Sequence, residues 1–61
     1  MTVEKMIETI NNLIERANNN FTEWNHSHEL RMARIDGMVE MLEMITGKEY
    51  IVTENGLKEK N

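Results

Sequence analysis

The chain has 61 residues, which allows one small domain and leaves little material for a hydrophobic core. It contains no cysteine, which excludes disulfides and thiolate metal sites, and no proline, so nothing forces a helix to break. The formal net charge is −4 and the lysines and arginines are scattered, whereas nucleic-acid binders carry a basic stripe, so direct nucleic-acid binding is not expected.

The same composition predicts a cytoplasmic protein that has no contact with a membrane. No uninterrupted apolar run approaches the ~20 residues of a membrane-spanning helix. Glu4 and Lys5 interrupt the apolar residues near the N-terminus, which is unlike a signal peptide. No nucleotide-binding, kinase or zinc-finger motif occurs, so we expect no cofactor, no metal and no catalytic residue.

The first predicted element is an amphipathic helix from Thr2 to about Asn18. Thr2 is a good N-cap residue, and Glu4 and Arg16 have the charges that the dipole favours at the two ends. Polar residues, among them Asn11, are expected on its outer face. Its apolar face follows spacings of three and four residues through Val3, Met6, Ile7, Ile10, Leu13, Ile14 and Ala17.

A polar stretch, NNNFTEWNHSH from Asn18 to His28, follows this helix and has low helix propensity. Asn20 and Glu23 resemble a capping box, which predicts a turn near Asn18–Asn20 and a second helix that starts at about Phe21. The alternative is one continuous helix from Thr2 to Thr46, because the apolar spacing keeps its register through the polar stretch. That helix would pair with an antiparallel copy in a swapped arrangement.

The second predicted helix extends to Thr46, where Gly47 is placed to end it, and it is apolar around most of its circumference. One stripe, expected to pack on the first helix, contains Met32, Ile35, Met38, Val39, Leu42 and Ile45. A second stripe contains Leu30, Ala33, Gly37, Met41 and Met44. Because so short a chain has nothing left to cover the second stripe, the sequence predicts a homodimer or a higher even oligomer. The predicted self-association residues are Leu30, Ala33, Gly37, Met38, Met41, Met44 and Ile45.

Ala33 and Gly37 give this helix two small residues four positions apart. Glycine costs about 1 kcal/mol in a helix interior relative to alanine, so a packing reason is expected at Gly37. Small residues at this spacing let two helix backbones approach closely. The alternative is a tolerated glycine or a kink.

Two groups of residues are candidates for binding a partner protein. Asp36, Glu40 and Glu43 form an acidic edge, which suits a basic surface or is simply a solvated face. Phe21 and Trp24 are either an exposed recognition site or a plug at the end of the helical core.

The remaining residues, 49–61, are predicted to form a short strand-and-turn tail that is partly flexible. Tyr50–Thr53 has strand propensity, and Asn55-Gly56 is a turn signal that Leu57 follows. Residues 1–48 are the predicted helical dimerisation domain. The predicted fold class is therefore all-α: a helical hairpin, or the single long helix in its swapped form, that assembles as a homodimeric helical bundle with a short β-like C-terminal tail.

The stretch from Arg34 to Leu57 resembles, in composition, small accessory proteins of bacteriophages and prophages of low-GC Gram-positive bacteria. The resemblance assigns no functional residue. It implies a non-enzymatic interaction protein that binds and inhibits or redirects a host protein. Together with the homodimer that the second stripe predicts, this is the function that we expect. The alternatives are a structural or assembly subunit that acts by self-association only, and a transcriptional regulator, against which the charge pattern argues.

Overall fold

The computed structural model describes residues 2–60, in which two helices are followed by a β-hairpin. Helix α1 spans Val3–Asn19 and helix α2 spans His26–Thr46. Strands β1 (Glu49–Thr53) and β2 (Gly56–Lys60) pair antiparallel in a two-stranded sheet. Residue 61, the last of the predicted tail, lies outside the described residues.

Helix α1 starts and ends close to the predicted positions. The Thr2 hydroxyl accepts a hydrogen bond from the Lys5 backbone N–H at 3.1 Å, which satisfies one of the free donors of the first turn. At the other end, the backbone N–H of Asn20 donates to the Arg16 carbonyl at 3.0 Å. The side chain of Asn20 donates to the same carbonyl at 2.9 Å and closes the helix.

The predicted start of the second helix at Phe21 is wrong. The residue that caps α2 is Asn25, whose side-chain oxygen accepts from the His28 backbone N–H at 2.9 Å. Residues 20–25 form a non-helical link in which the chain reverses direction, so the continuous helix from Thr2 to Thr46 is also wrong for this chain. Helix α2 ends as predicted at Gly47, which has a φ of 72° and donates its N–H to the Glu43 carbonyl at 2.8 Å.

The core lies between the facing sides of the two helices. Ile10, Ile35 and Leu42 are completely buried. The remaining buried apolar residues are Met6, Ile14, Ala17 and Val39. The predicted inward stripe is wrong at Ile45, which is 59% exposed. At 100° per residue, Ile45 projects about midway between the inward-facing Ile35 and the outward-facing Gly37.

The all-α class is wrong, because the residues predicted as a tail form a sheet that completes the core. Tyr50, Val52 and Leu57 pack against the buried cluster. Val52 lies opposite Leu57 in the strand register, so the two side chains share the inner face of the hairpin. The chain is therefore a helical hairpin with a β-hairpin packed on it.

The turn between the strands lies one residue earlier than the Asn55-Gly56 signal suggests. The loop consists of Glu54 and Asn55, and Gly56 is the first residue of β2, paired with Thr53. Gly56 has a φ of 125°, a conformation that glycine adopts without strain. A Cβ atom at this position would also lie 3.0 Å from the Asn11 side-chain oxygen.

Among residues 2–60, three side-chain hydrogen bonds join the β-hairpin to the helices. The Leu57 backbone N–H donates to the Asn11 side-chain oxygen at 2.8 Å, and the Asn18 side chain donates to the Glu54 carbonyl at 2.9 Å. From α2, a Glu43 carboxylate oxygen accepts from the Tyr50 N–H at 2.9 Å. Asn11 was expected on the solvent face of α1, and this expectation is wrong because the hairpin covers that side.

Candidate interaction surfaces

The outer side of α2 carries an exposed apolar stripe, formed by the predicted second stripe: Leu30, Ala33, Gly37, Met41 and Met44. We call it the Gly37 face. Leu30 and Met41 are each 58% exposed and Met44 is 85% exposed. Ala33 and Gly37 are exposed as well. Neither α1 nor the β-hairpin covers this side of α2, so the sequence-based expectation of an unfilled stripe agrees with the burial pattern.

Gly37 has no packing role inside the chain. A Cβ atom added there would meet nothing within 4 Å. Helix α2 also continues unbroken through this position, so Gly37 does not mark a helix end. The glycine therefore weakens the helix without a compensating contact in the chain itself.

The two other predicted self-association residues differ in position. Met38 is half-buried and packs against the core. Ile45 is exposed and adjoins the Gly37 face, as its place on the helix four residues after Met41 requires. The predicted set therefore contains one residue that belongs mainly to the core.

The Gly37 face has charged borders of opposite sign. Arg34 precedes Gly37 by three residues and Glu40 follows it by three, which places them about 60° to either side. Arg31 continues the basic border, and Asp36 continues the acidic one. Any partner on this face meets both borders.

The predicted acidic edge lines a groove between α2 and β1. Asp36 and Glu40 are exposed on its helical side. Glu43 is half-buried, and its carboxylate is bonded to the Tyr50 N–H, so it serves the fold as well. On the opposite side, Lys60 lies beside Glu49, with 3.9 Å between the ammonium and the carboxylate.

Phe21 and Trp24 lie in the link and pack on the side chain of His28. The ring centroids of Phe21 and Trp24 are each 4.6 Å from that of His28. His28 is buried, whereas Phe21 is 47% and Trp24 63% exposed. The indole N–H of Trp24 donates to a Glu29 carboxylate oxygen at 3.2 Å. The two aromatic residues thus cover one end of the core and also present apolar surface.

The two histidines lie in different environments. His28 is buried, and its Nδ1 has no hydrogen-bond partner. His26 is exposed, and its Nδ1 lies 3.9 Å from a Glu29 carboxylate oxygen.

Within residues 2–60, no group of three or more histidine, cysteine or acidic side chains is arranged to hold a metal ion. In the same range, neither helix is both long and apolar enough to cross a bilayer.

No protein-family model matches the sequence, and comparison with curated proteins and with solved structures gives no significant match. The functional argument therefore depends on the surfaces of this chain alone. Of these surfaces, the Gly37 face departs most from what a small isolated domain shows, because its apolar residues are contiguous rather than scattered.

The sequence did not reveal two features of these surfaces. The contact of Phe21 and Trp24 with His28 depends on the path of a non-helical link, whereas the spacing through this stretch has a helical period and predicts a different path. The groove between α2 and β1 depends on where the β-hairpin docks. The spacing of apolar and acidic residues along α2, by contrast, was sufficient to place the Gly37 face and its acidic border.

Proposed function

We propose that this chain is a non-enzymatic interaction protein that acts as a homodimer formed through the Gly37 face. The observation that carries this proposal is the exposure of a continuous apolar stripe along α2, opposite the side that packs on α1. Isolated small domains seldom leave such a stripe in water, and exposed apolar patches mark binding sites.

The amount of exposed apolar surface supports a dimer of modest affinity. Four side chains of this surface are more than half exposed: Leu30, Met41, Met44 and Ile45. Burying each of them at an interface would contribute about 1 kcal/mol or more. Across two copies the gross gain is on the order of 10 kcal/mol. Association costs about 4–15 kcal/mol in lost translational and rotational freedom. Against the lower end of that cost, the gain leaves about 6 kcal/mol, so we expect a dimer that forms at tens of micromolar or higher protein concentrations.

Light scattering and sedimentation across a concentration series test this proposal directly. The monomer has a mass of 7.2 kDa, and we expect the weight-average mass to rise towards twice that value with increasing concentration. A mass of 7.2 kDa that stays constant up to about 1 mM, the range of the weakest specific complexes, would disprove the homodimer if the chain melts cooperatively.

The same measurement separates the dimer from a purely structural role. An assembly subunit that acts by self-association alone would continue to grow beyond two copies. A closed dimer reaches a plateau, because a two-fold interface uses the same patch on both chains and leaves none free.

A host protein is the second partner that we propose, and it would bind the acidic residues that border the Gly37 face or the aromatic rings of the link. Asp36 and Glu40 are exposed beside the groove, and Phe21 and Trp24 expose apolar rings at the end of the core. Charge complementarity favours a basic surface on that partner. A change of Asp36 and Glu40 to lysine is expected to abolish binding to a basic partner. Because both residues also border the Gly37 face, the mass of the variant in solution is measured alongside, so that loss of the host partner is distinguished from a change in dimerisation.

A further inference from the structure

We propose that two copies pair their α2 helices antiparallel, across a two-fold axis that passes beside Gly37. This inference rests on the proposed homodimer and specifies its geometry. It is carried by the spacing of the Gly37 face, by the sizes of its side chains and by the open space at Gly37.

The spacing of the Gly37 face is symmetric about its central glycine. Leu30 and Met44 lie seven residues before and after Gly37, and Ala33 and Met41 lie four before and after it. Antiparallel two-fold pairing brings a residue before Gly37 opposite the residue equally far after it in the other copy. The stripe, about 21 Å long from Leu30 to Met44, is thus covered end to end by its own copy.

The side-chain sizes also suit this pairing. Ala33 would lie opposite the partner's Met41, so that a small residue faces a long one in both halves of the interface. Gly37 would face the partner's Gly37 at the axis, where the empty space beyond its Cα admits a second backbone. Leu30 and the partner's Met44 would close each end.

A parallel pair would fit less well. It would bring Leu30 against Leu30 at one end and Met41 against Met41 and Met44 against Met44 at the other, with the small residues Ala33 and Gly37 each against its own copy between them. The two helices would then be forced apart at the methionines and leave a gap beside the small residues. Proteins tolerate neither gaps nor overpacking well, so the antiparallel pair is favoured.

The charged borders oppose the antiparallel pair, but their effect is small. In that geometry the border that contains Glu40 meets the same border of the second copy, and Arg34 likewise faces the partner's basic border. Exposed charge pairs contribute little and are screened by salt. Packing therefore decides the orientation, and the charges determine how dimerisation responds to salt.

Single-cysteine variants test the geometry, since the chain has no cysteine of its own. When Ala33→Cys and Met41→Cys are mixed and oxidised mildly, we expect a mixed disulfide at least about tenfold above background, because the dimer raises the local thiol concentration. Glu8→Cys, on the exposed side of α1, provides the background. Circular dichroism confirms that each variant is folded.

The Met44→Cys variant by itself distinguishes the antiparallel from the parallel orientation of the two α2 helices. In the antiparallel dimer its two thiols are separated by about 21 Å along the helices, far beyond the ~7 Å between Cα atoms that a disulfide allows. We therefore expect no homodisulfide above the Glu8→Cys background. An efficient Met44→Cys homodisulfide in a dimeric protein would overturn the antiparallel geometry and leave the homodimer intact. A monomeric mass with no disulfide in any variant would instead overturn the proposed function.

Salt provides a second, independent measurement. Because like-charged borders face each other in the antiparallel dimer, the dissociation constant is expected to fall severalfold as sodium chloride is raised from low to physiological concentration. A parallel dimer would bring Arg34 towards the acidic border, and its dissociation constant would rise over the same range. A rise would therefore contradict the antiparallel arrangement.

Discussion

Asparagine side chains determine how the segments of this chain connect. Asn11 accepts a hydrogen bond from the Leu57 N–H, Asn18 donates to the Glu54 carbonyl, and Asn25 accepts from the His28 N–H. From sequence, asparagine in or near a helix indicates low propensity or a cap. It gives no sign that an amide reaches a strand 46 residues later, as Asn11 does. The docking of the β-hairpin was therefore not predictable from the spacing of residues in α1.

Replacement of Asn11 by alanine is expected to destabilise the fold by about 1–2 kcal/mol. The change removes a 2.8 Å hydrogen bond and leaves the half-buried Leu57 N–H without this acceptor. Urea denaturation measures the difference in unfolding free energy. Asn12→Ala is the matched control, because Asn12 is exposed on the same helix, and a change within about 0.5 kcal/mol is expected there. Equal effects of the two variants would contradict the role assigned to Asn11.

Gly37→Ala is expected to have opposite effects on the monomer and on the dimer. At concentrations low enough to keep the chain monomeric, alanine should raise the unfolding free energy by up to about 1 kcal/mol, because it favours the helix and its methyl group meets no neighbour. At the proposed axis the same methyl group would separate the backbones and weaken dimerisation. Thermal melting of dilute protein measures the first effect and sedimentation the second. A destabilised monomer would show that Gly37 has a role inside the chain.

At the scale of the element, apolar periodicity was sufficient to predict that both helices form. Gly47 was sufficient to predict where α2 ends. The start of α2 was misplaced because several asparagines along the polar stretch are equally acceptable N-caps on local grounds. The chain reverses direction over residues 20–25, and the cap falls at the last of them, Asn25, a choice that local propensity does not distinguish. Strand propensity in Tyr50–Thr53 was recognised, but a two-stranded hairpin is stable only when it packs on something else. Its contact with the core decided the fold class.

The cap of α2 gives a prediction at this scale. Asn25→Ala is expected to lower the unfolding free energy by about 1 kcal/mol, because the His28 N–H in the first turn loses its side-chain acceptor. Asn25→Ser or Asn25→Asp should remain within a few tenths of a kcal/mol of the parent, since both side chains can accept the same bond. Chemical denaturation of the three variants side by side checks the assignment. The assignment of Asn25 as the cap would be wrong if Asn25→Ser were as destabilised as Asn25→Ala.

At the scale of the whole molecule, the sequence indicated how much apolar surface the chain has but not which of it the β-hairpin would cover. The hairpin covers one side of the helical pair, through Tyr50, Val52 and Leu57, and leaves the outer side of α2 in water. The excess of apolar residues along α2 is therefore concentrated on one face rather than spread over several. A single surface of this kind is what a small protein needs in order to form one defined contact.

Whether this face, rather than apolar exposure in general, drives association can be tested with two matched substitutions. Met44→Glu places a charge on the Gly37 face, and Ile51→Glu places the same charge on β1, at a residue that is 46% exposed. Both remove one exposed apolar side chain and add one negative charge. Only Met44→Glu should weaken the dimer, by at least about tenfold in dissociation constant, because a buried charge without a partner is costly at an interface. Sedimentation equilibrium provides the comparison. If Ile51→Glu weakened the dimer as much, the interface would involve the sheet, and the assignment of the contact to α2 would be wrong.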